Sequence, residues 1–393
     1  MKTQGRARRL VAAAVAIVFA STPLLAEPAS AAEGWHQRGP TISGAAIGDE
    51  FGAALSSSRS GNVVAAGAPR TDGTGSVLVR RLIDGTWDEL GQTLVGAAAD
   101  DEFGRSVSLN AAGNVLAVGS RTASAIGNVK LYKLKRGVWV QLGSTLTGGA
   151  PSDEFGNSVA LNASGNIVAI ASYGANSGAG NVKLYKLKRG VWVQLGTTLS
   201  GASAGDLFGY SVALNAAGTV VTVGAIGSGS NAGAVSVYKF SRGAWQQLGA
   251  TLTGASASQW FGYSVSSSAS GTTVTVGAVL ASSVLVYRYS KGSWQQVGST
   301  LNDVGGYSVS SNASGNQIVV GDPAYNAVAG AVRVFRNSGG TWSQVGSTVQ
   351  GSLAGNNVGL SVSGNSSGSV ITIGAPGSNS SNIGYVQQYR YNS

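Results

Sequence analysis

The sequence predicts an all-β fold, a closed seven-bladed β-propeller, on three observations. Tryptophan returns at Trp35, Trp87, Trp139, Trp192, Trp245, Trp294 and Trp342, at intervals of 52, 52, 53, 53, 49 and 48 residues. A period of about 50 residues marks propellers or solenoids rather than unrelated domains. Sixty glycines punctuate short apolar runs, which reads as many short strands joined by turns. The repeat over residues 33–393 is also out of phase, opening on a lone fourth strand (34–39) and stopping after a third (384–391).

Residues 1–32 read as separate from that fold. Lys2, Arg6, Arg8 and Arg9 lead into an apolar run from Leu10 to Ala20, followed by Pro23 and the small residues Ala29-Ser30-Ala31-Ala32. This order predicts an export signal cleaved near Ala32, its apolar run being too short to span a bilayer. The expectation is a secreted, extracellular protein with no membrane insertion, its single domain covering residues 33–393. The sequence contains no cysteine, so no disulfide is available. Residues 33–393 carry 22 basic and 15 acidic residues, a formal charge of +7. A mild basic excess with no recognisable motif gives no support to nucleic-acid binding.

The third repeat shows the plan of a blade. "FGNSVALN" (155–162) alternates large and small residues as a strand does. The turn Ala163-Ser164-Gly165-Asn166 leads to "IVAIAS" (167–172), apolar on both faces and so predicted to be covered on both. After a polar loop come "NVKLYKL" (181–187), the turn Arg189-Gly190 and "VWVQLG" (191–196), an outer hairpin. Strand one is innermost, where blades converge, and a Gly-x-Ser pattern (Gly104/Ser106, Gly156/Ser158, Gly209/Ser211 and on to Gly359/Ser361) lets neighbours approach. Strand one begins near Phe51, Phe103, Phe155, Phe208, Phe261, Gly305 and Val358. The opening segment 34–39 is then expected to complete the last blade beside 384–391, removing both open edges.

Strand-one starts and strand-two ends together spell a signature: Phe51-Gly52 before Gly67-Ala68-Pro69, Phe208-Gly209 before Gly224-Ala225, Phe261-Gly262 before Gly277-Ala278, and Gly374-Ala375-Pro376 in the last unit. Over residues 33–393 the chain resembles the FG-GAP repeat family, the seven-bladed propellers of integrin α-chain heads and of many exported bacterial proteins. The resemblance implies extracellular recognition through the loop face. That family often carries an Asp-x-Asp-x-Asp-Gly calcium loop between strands one and two. Here the loops read Ser58-Arg59-Ser60-Gly61, Ala111-Ala112-Gly113, Ala163-Ser164-Gly165 and Ser366-Ser367-Gly368. Calcium takes six to eight oxygens, several usually charged, so neither metal nor other cofactor is expected.

Candidate binding residues come from departures from the repeat. Trp260 falls outside the tryptophan beat. Tyr210, Tyr263 and Tyr307 follow Phe-Gly or its equivalent in three consecutive blades, where the others have Ala53, Arg105, Asn157 and Leu360. Tyr173 and Tyr325 stand in loops predicted on the same face. This aromatic set suits a glycan or a protein hot spot, or else fills gaps near the hub. Arg70, Arg105 and Arg121 could gather beside Asp101 and Glu102, as a glycosidase or as plain salt bridges. The aspartates before Phe-Gly could equally bond their own turns, and the seven regular tryptophans could stack sugars or pack blades. Loop-face acids against cations in the hairpin turns predict one acidic arc and one basic face.

No Ser/His or Cys/His constellation can be assembled around the lone His36, and no catalytic residue is assigned. The sequence therefore predicts a monomeric, non-catalytic binding or adhesion module for an extracellular protein or polysaccharide. A lectin with sugar sites between blades and a carbohydrate-active enzyme remain as alternatives. The segment GNVKLYKLKRGVWVQLG at 127–143 recurs unchanged at 180–196, which favours a repeating partner or records internal duplication alone.

Overall fold

Seven antiparallel sheets of four main strands stand around one axis in the computed structural model, which describes residues 33–377 and 383–392. The expected signal at 1–32 lies outside the described residues. Blade three comprises Val159–Leu161, Ile167–Ser172, Asn181–Lys188 and Val191–Gln194 from hub to rim. The second strand of every blade is buried along its whole length, because a sheet covers it on either side. The outer hairpins turn on left-handed pairs such as Arg136-Gly137, Arg189-Gly190 and Lys291-Gly292, the geometry that matches strand twist.

The ring closes as predicted. Gly34–Gln37 pairs antiparallel with Tyr385–Asn392, setting Trp35 opposite Tyr391 and His36 opposite Arg390. A second closure runs around the axis at the turns between strands one and two. The Arg59 N–H donates to the Ala111 carbonyl at 2.9 Å, and the same bond passes through Ala163, Ala216, Ala269, Ala313 and Ser366. Ser366 donates back to Arg59 at 3.1 Å. These backbone groups, all near the axis, satisfy one another in a closed circuit.

Six of the seven regular tryptophans join two blades by a hydrogen bond. The indole N–H of Trp139 donates to the Leu90 carbonyl (2.6 Å), Trp192 to Leu142 (2.7 Å), Trp245 to Leu195 (2.8 Å), and Trp294 to Leu248 (2.7 Å). Trp342 reaches Val297 (2.7 Å) and Trp35 reaches Val345 (2.8 Å). Trp87 lies against Gly39 of the closing segment. The beat is therefore a packing device between blades.

The Phe-Gly and Gly-Ala pairs also meet across blades. A Cβ on Gly67 would collide with the carbonyl of Gly104 in the next blade; Gly119 stands so against Gly156, Gly277 against Gly306, and Gly374 against Gly52 across the seam. The hub serine often ties the same junction. Ser106 Oγ donates to the Gly156 carbonyl at 2.7 Å, and Ser361 Oγ to that of Gly52 at 2.6 Å.

Three details differ from the sequence expectation. A two-residue fifth strand follows strand four and pairs with the start of strand three, as Leu146–Thr147 does with Asn128–Val129. The glycine at each strand-one start holds φ near +90°: strand one begins after it in five blades, while in blades four and five it starts at Phe208 and Phe261 with a register shift at the glycine. In blade six the buried Val304, not Gly305, takes the phenylalanine place, its N–H bonding the Ser282 carbonyl as the Phe261 N–H bonds Ala232. Gly305 is an inserted residue pressed against Asp322.

Candidate functional site

The glycine after each hub phenylalanine, or after the valine that takes its place in blades six and seven with one glycine inserted in blade six, turns the chain over the rim of the axis, so the residue that follows it faces the mouth. All seven such residues, Ala53, Arg105, Asn157, Tyr210, Tyr263, Tyr307 and Leu360, line one cavity of about 210 Å³. Arg121, Tyr173 and Ser158 complete its wall. One position in a repeat is thereby focused on one point, and its variation gives the mouth two unlike sides.

One side is aromatic. Ring centroids run Tyr173–Tyr210 at 5.5 Å, Tyr210–Tyr263 at 5.1 Å and Tyr263–Tyr307 at 5.7 Å. Trp260 stacks on Tyr263 with 2° between planes and 6.1 Å between centroids. It sits there because its backbone is left-handed, at φ +52°, a conformation shared by Glu50, Glu102, Glu154 and Leu207 at the corresponding point of other blades. Such pairs favour offset and edge geometries within about 7 Å.

The other side is charged. Arg121 Nε donates to Glu102 at 2.6 Å, and its Nη1 lies 3.6 Å from Glu154. Burial acts to lower the Arg121 pKa, but hydrogen bonding and charge from Glu102, with Tyr173 and Glu154, raise it on balance. Burial, reinforced by the hydrogen bond to Glu154, pushes the Tyr173 phenol up to about 12. Tyr263 is also pushed up, first by burial and then by Tyr210. Arg105 differs: among the described residues no carboxylate comes within ion-pair distance of its half-buried guanidinium. Its charge acts on the Tyr173 and Tyr263 phenols, and Asn157 Nδ2 on the same wall donates to the Tyr210 carbonyl at 3.2 Å.

Of the sequence candidates, Tyr173, Tyr210, Tyr263, Tyr307, Arg105 and Arg121 line the cavity, with Trp260 behind Tyr263 and Glu102 behind Arg121. Two stand apart. Asp101 is buried in its own turn, where its Oδ2 accepts the N–H groups of Ala97 and Ala98, both at 3.0 Å. Asp49, Asp153 and Asp206 bond their turns likewise. Tyr325 lies under the Arg333 guanidinium at 4.9 Å, outside the cavity wall. Glu154, absent from the predicted site, holds Arg121 from the next blade; its equivalence to Glu102 in the repeat was the available signal.

At the turns where the resembled family often binds calcium, a side-chain oxygen closes the turn instead. Asn162 Oδ1 accepts the N–H groups of Asn166 and Ile167, each at 3.0 Å. Asn110, Asn215 and Asn312 repeat the arrangement, and Asn365 Oδ1 accepts the Val370 N–H at 3.0 Å. Among the described residues no group of three or more His, Cys, Asp or Glu is placed to hold a metal ion. No family model and no curated protein matches the chain.

Proposed function

We propose that this chain is an exported, non-catalytic recognition propeller that binds an extracellular protein or glycan at the axial mouth of its loop face. The β-propeller fold is consistent with a binding role. The observation that carries the reading is the pairing of an aromatic arc with Arg105, which forms no ion pair among the described residues, in one cavity. Aromatic faces supply contact area at low entropic cost, while a few polar groups fix orientation. The resemblance to FG-GAP propellers points the same way, toward extracellular recognition through the loops.

Two geometric facts weigh against the alternatives. Six regular tryptophans spend their indole N–H on the neighbouring blade, which disfavours a lectin built on that beat. Asp101 is engaged by its turn and Glu102 by Arg121, which disfavours a glycosidase using that pair. The test is a glycan array and cell-surface binding screen of the purified protein. Binding that weakens at least tenfold in Tyr263→Ala and Arg105→Gln, at unchanged melting temperature, supports the proposal. Binding untouched by either change refutes the site.

A further inference from the structure

The opposite face carries an independent feature. The sixth residue of strand three is a cation in every blade: Arg81, Lys133, Lys186, Lys239, Arg288, Arg336 and Arg390. Identical register places them at one height around the ring, on the hairpin side of mid-strand. Six of the seven are exposed and Lys186 is half-buried. Among the described residues none of them forms a salt bridge. Arg336 alone bonds a side chain, that of Gln317. A charge kept in all seven copies of a diverged repeat, while making almost no internal bond, is not explained by packing.

The hairpin tips add to it, with Arg136, Arg189, Arg242 and Lys291 held left-handed and exposed. The acids on this half are Glu33, Asp84, Asp88 and Glu89, all in the seam blade or blade one. Blades two to six thus present a basic crescent free of carboxylates. Nearly all other acidic side chains of residues 33–393 stand in the loops of the opposite face. Solvated charge runs are common on any surface, but this one is segregated and in register.

We infer that the hairpin half of blades two to six docks an acidic polysaccharide, a linear sugar chain bearing carboxylates. Opposite three of the ring cations stand exposed hydrogen-bonding groups suited to sugar hydroxyls, Gln246 beside Lys239, Gln295 beside Arg288 and Ser343 beside Arg336, while Lys133 and Lys186 stand beside Val140 and Val193. Packed sheets lie about 10 Å apart, so successive blades offer charge at a coarse pitch. That pitch fits carboxylates spaced by sugar rings better than the crowded charges of a polyphosphate. The tips are Arg-Gly or Lys-Gly in blades two to five and Gly339-Gly340 in blade six, without the Trp, Phe or Leu that anchors proteins in a bilayer. Neighbouring blades would act together, each adding to the effective concentration seen by the next.

The duplicated segment supplies a matched test. Lys130 and Lys183 stand on the loop half of strand three, and Lys133 and Lys186 on the hairpin half of the same strands. Binding of the purified protein to labelled polygalacturonate is measured by fluorescence anisotropy across a salt series. Lys133→Ser/Lys186→Ser should weaken binding at least tenfold. It should also flatten the log–log salt slope by roughly 0.7 per lost contact, the value for flexible single strands. Lys130→Ser/Lys183→Ser, with the same net charge, should stay within twofold of the parent. Arg136→Asn/Arg189→Asn, which keeps left-handed turns, should weaken binding like the first pair. Equal loss in both lysine pairs would show net charge alone and overturn the inference. Tighter binding to inorganic polyphosphate, or binding to vesicles of anionic lipid without binding to polygalacturonate, would overturn it too.

Discussion

Replacing Trp192 by phenylalanine removes one indole N–H and leaves the Leu142 carbonyl without its 2.7 Å donor. The residue is 5% exposed and packs in the cluster of Val168, Ile170 and Leu161. An unsatisfied buried acceptor costs about 1–3 kcal/mol. Alanine deletes the ring as well, for about 3–5 kcal/mol. Unfolding entropy near 2.1 cal/mol/K per residue gives about 0.8 kcal/mol per kelvin over residues 33–393. Phenylalanine should therefore lower the melting temperature by about 1–4 °C and alanine by about 4–6 °C, read by calorimetry. Neither should alter ligand binding at a temperature where both variants are folded. If Trp192→Phe melts like the parent yet loses glycan binding, the tryptophan beat is a sugar platform and the packing argument fails.

Other outcomes follow from the same geometry. Asn162→Ala strands the buried Ile167 N–H and the part-buried Asn166 N–H and should cost about 1–3 kcal/mol, seen as a lower urea midpoint; an unchanged midpoint would contradict the turn-closing role. Millimolar calcium or chelator should move the melt by less than 1 °C, and a large calcium-dependent rise would reveal a site the Asn-closed turns do not provide. Burial pushes Tyr132 and Tyr173 up to about 12 from an ordinary 10. A folded-state pKa raised in this way gives stability that is complete below pH 10 and lost between pH 10 and 12 as the phenols ionise. Ultraviolet titration should show this late class of tyrosines, and Tyr173→Phe should remove part of it; ionisation of every tyrosine near pH 10 would refute their burial.

Much of the fold was legible because each blade repeats the same solution. The tryptophan interval, the small hub residues and the apolar second strand each answer a demand made seven times, so chance variation at one copy hides little. The two-residue fifth strand was missed although Ile42, Leu94, Leu146, Leu199, Leu252, Leu301 and Val349 each stand seven residues after a tryptophan. Two residues are too few for periodicity to show. Blade six misled because two glycines follow Val304, and only the hydrogen-bonding frame shows which one is inserted.

The site was legible where it sat on the repeat. Tyr210, Tyr263 and Tyr307 share one position, and equivalent positions in a ring converge on the axis. Tyr325 escaped this logic, because its loop has no fixed relation to the mouth and the Arg333 side chain captures its ring. Asp101 was ambiguous for a different reason. An aspartate that caps its own turn and one that serves a site look alike in sequence, and only the direction of the carboxylate separates them.

The closed ring is tested most directly by a disulfide across the seam, since the chain has no cysteine of its own. His36 and Arg390 are register partners, and facing strand residues lie about 4.5–5.5 Å apart, within disulfide reach. His36→Cys/Arg390→Cys should oxidise within one molecule, closing a loop of about 355 residues worth roughly 6 kcal/mol by chain entropy. The melting temperature should then rise by about 7 °C and return on reduction. Two free thiols after oxidation, or bridges only between molecules, would mean that the first strand does not pair with the last.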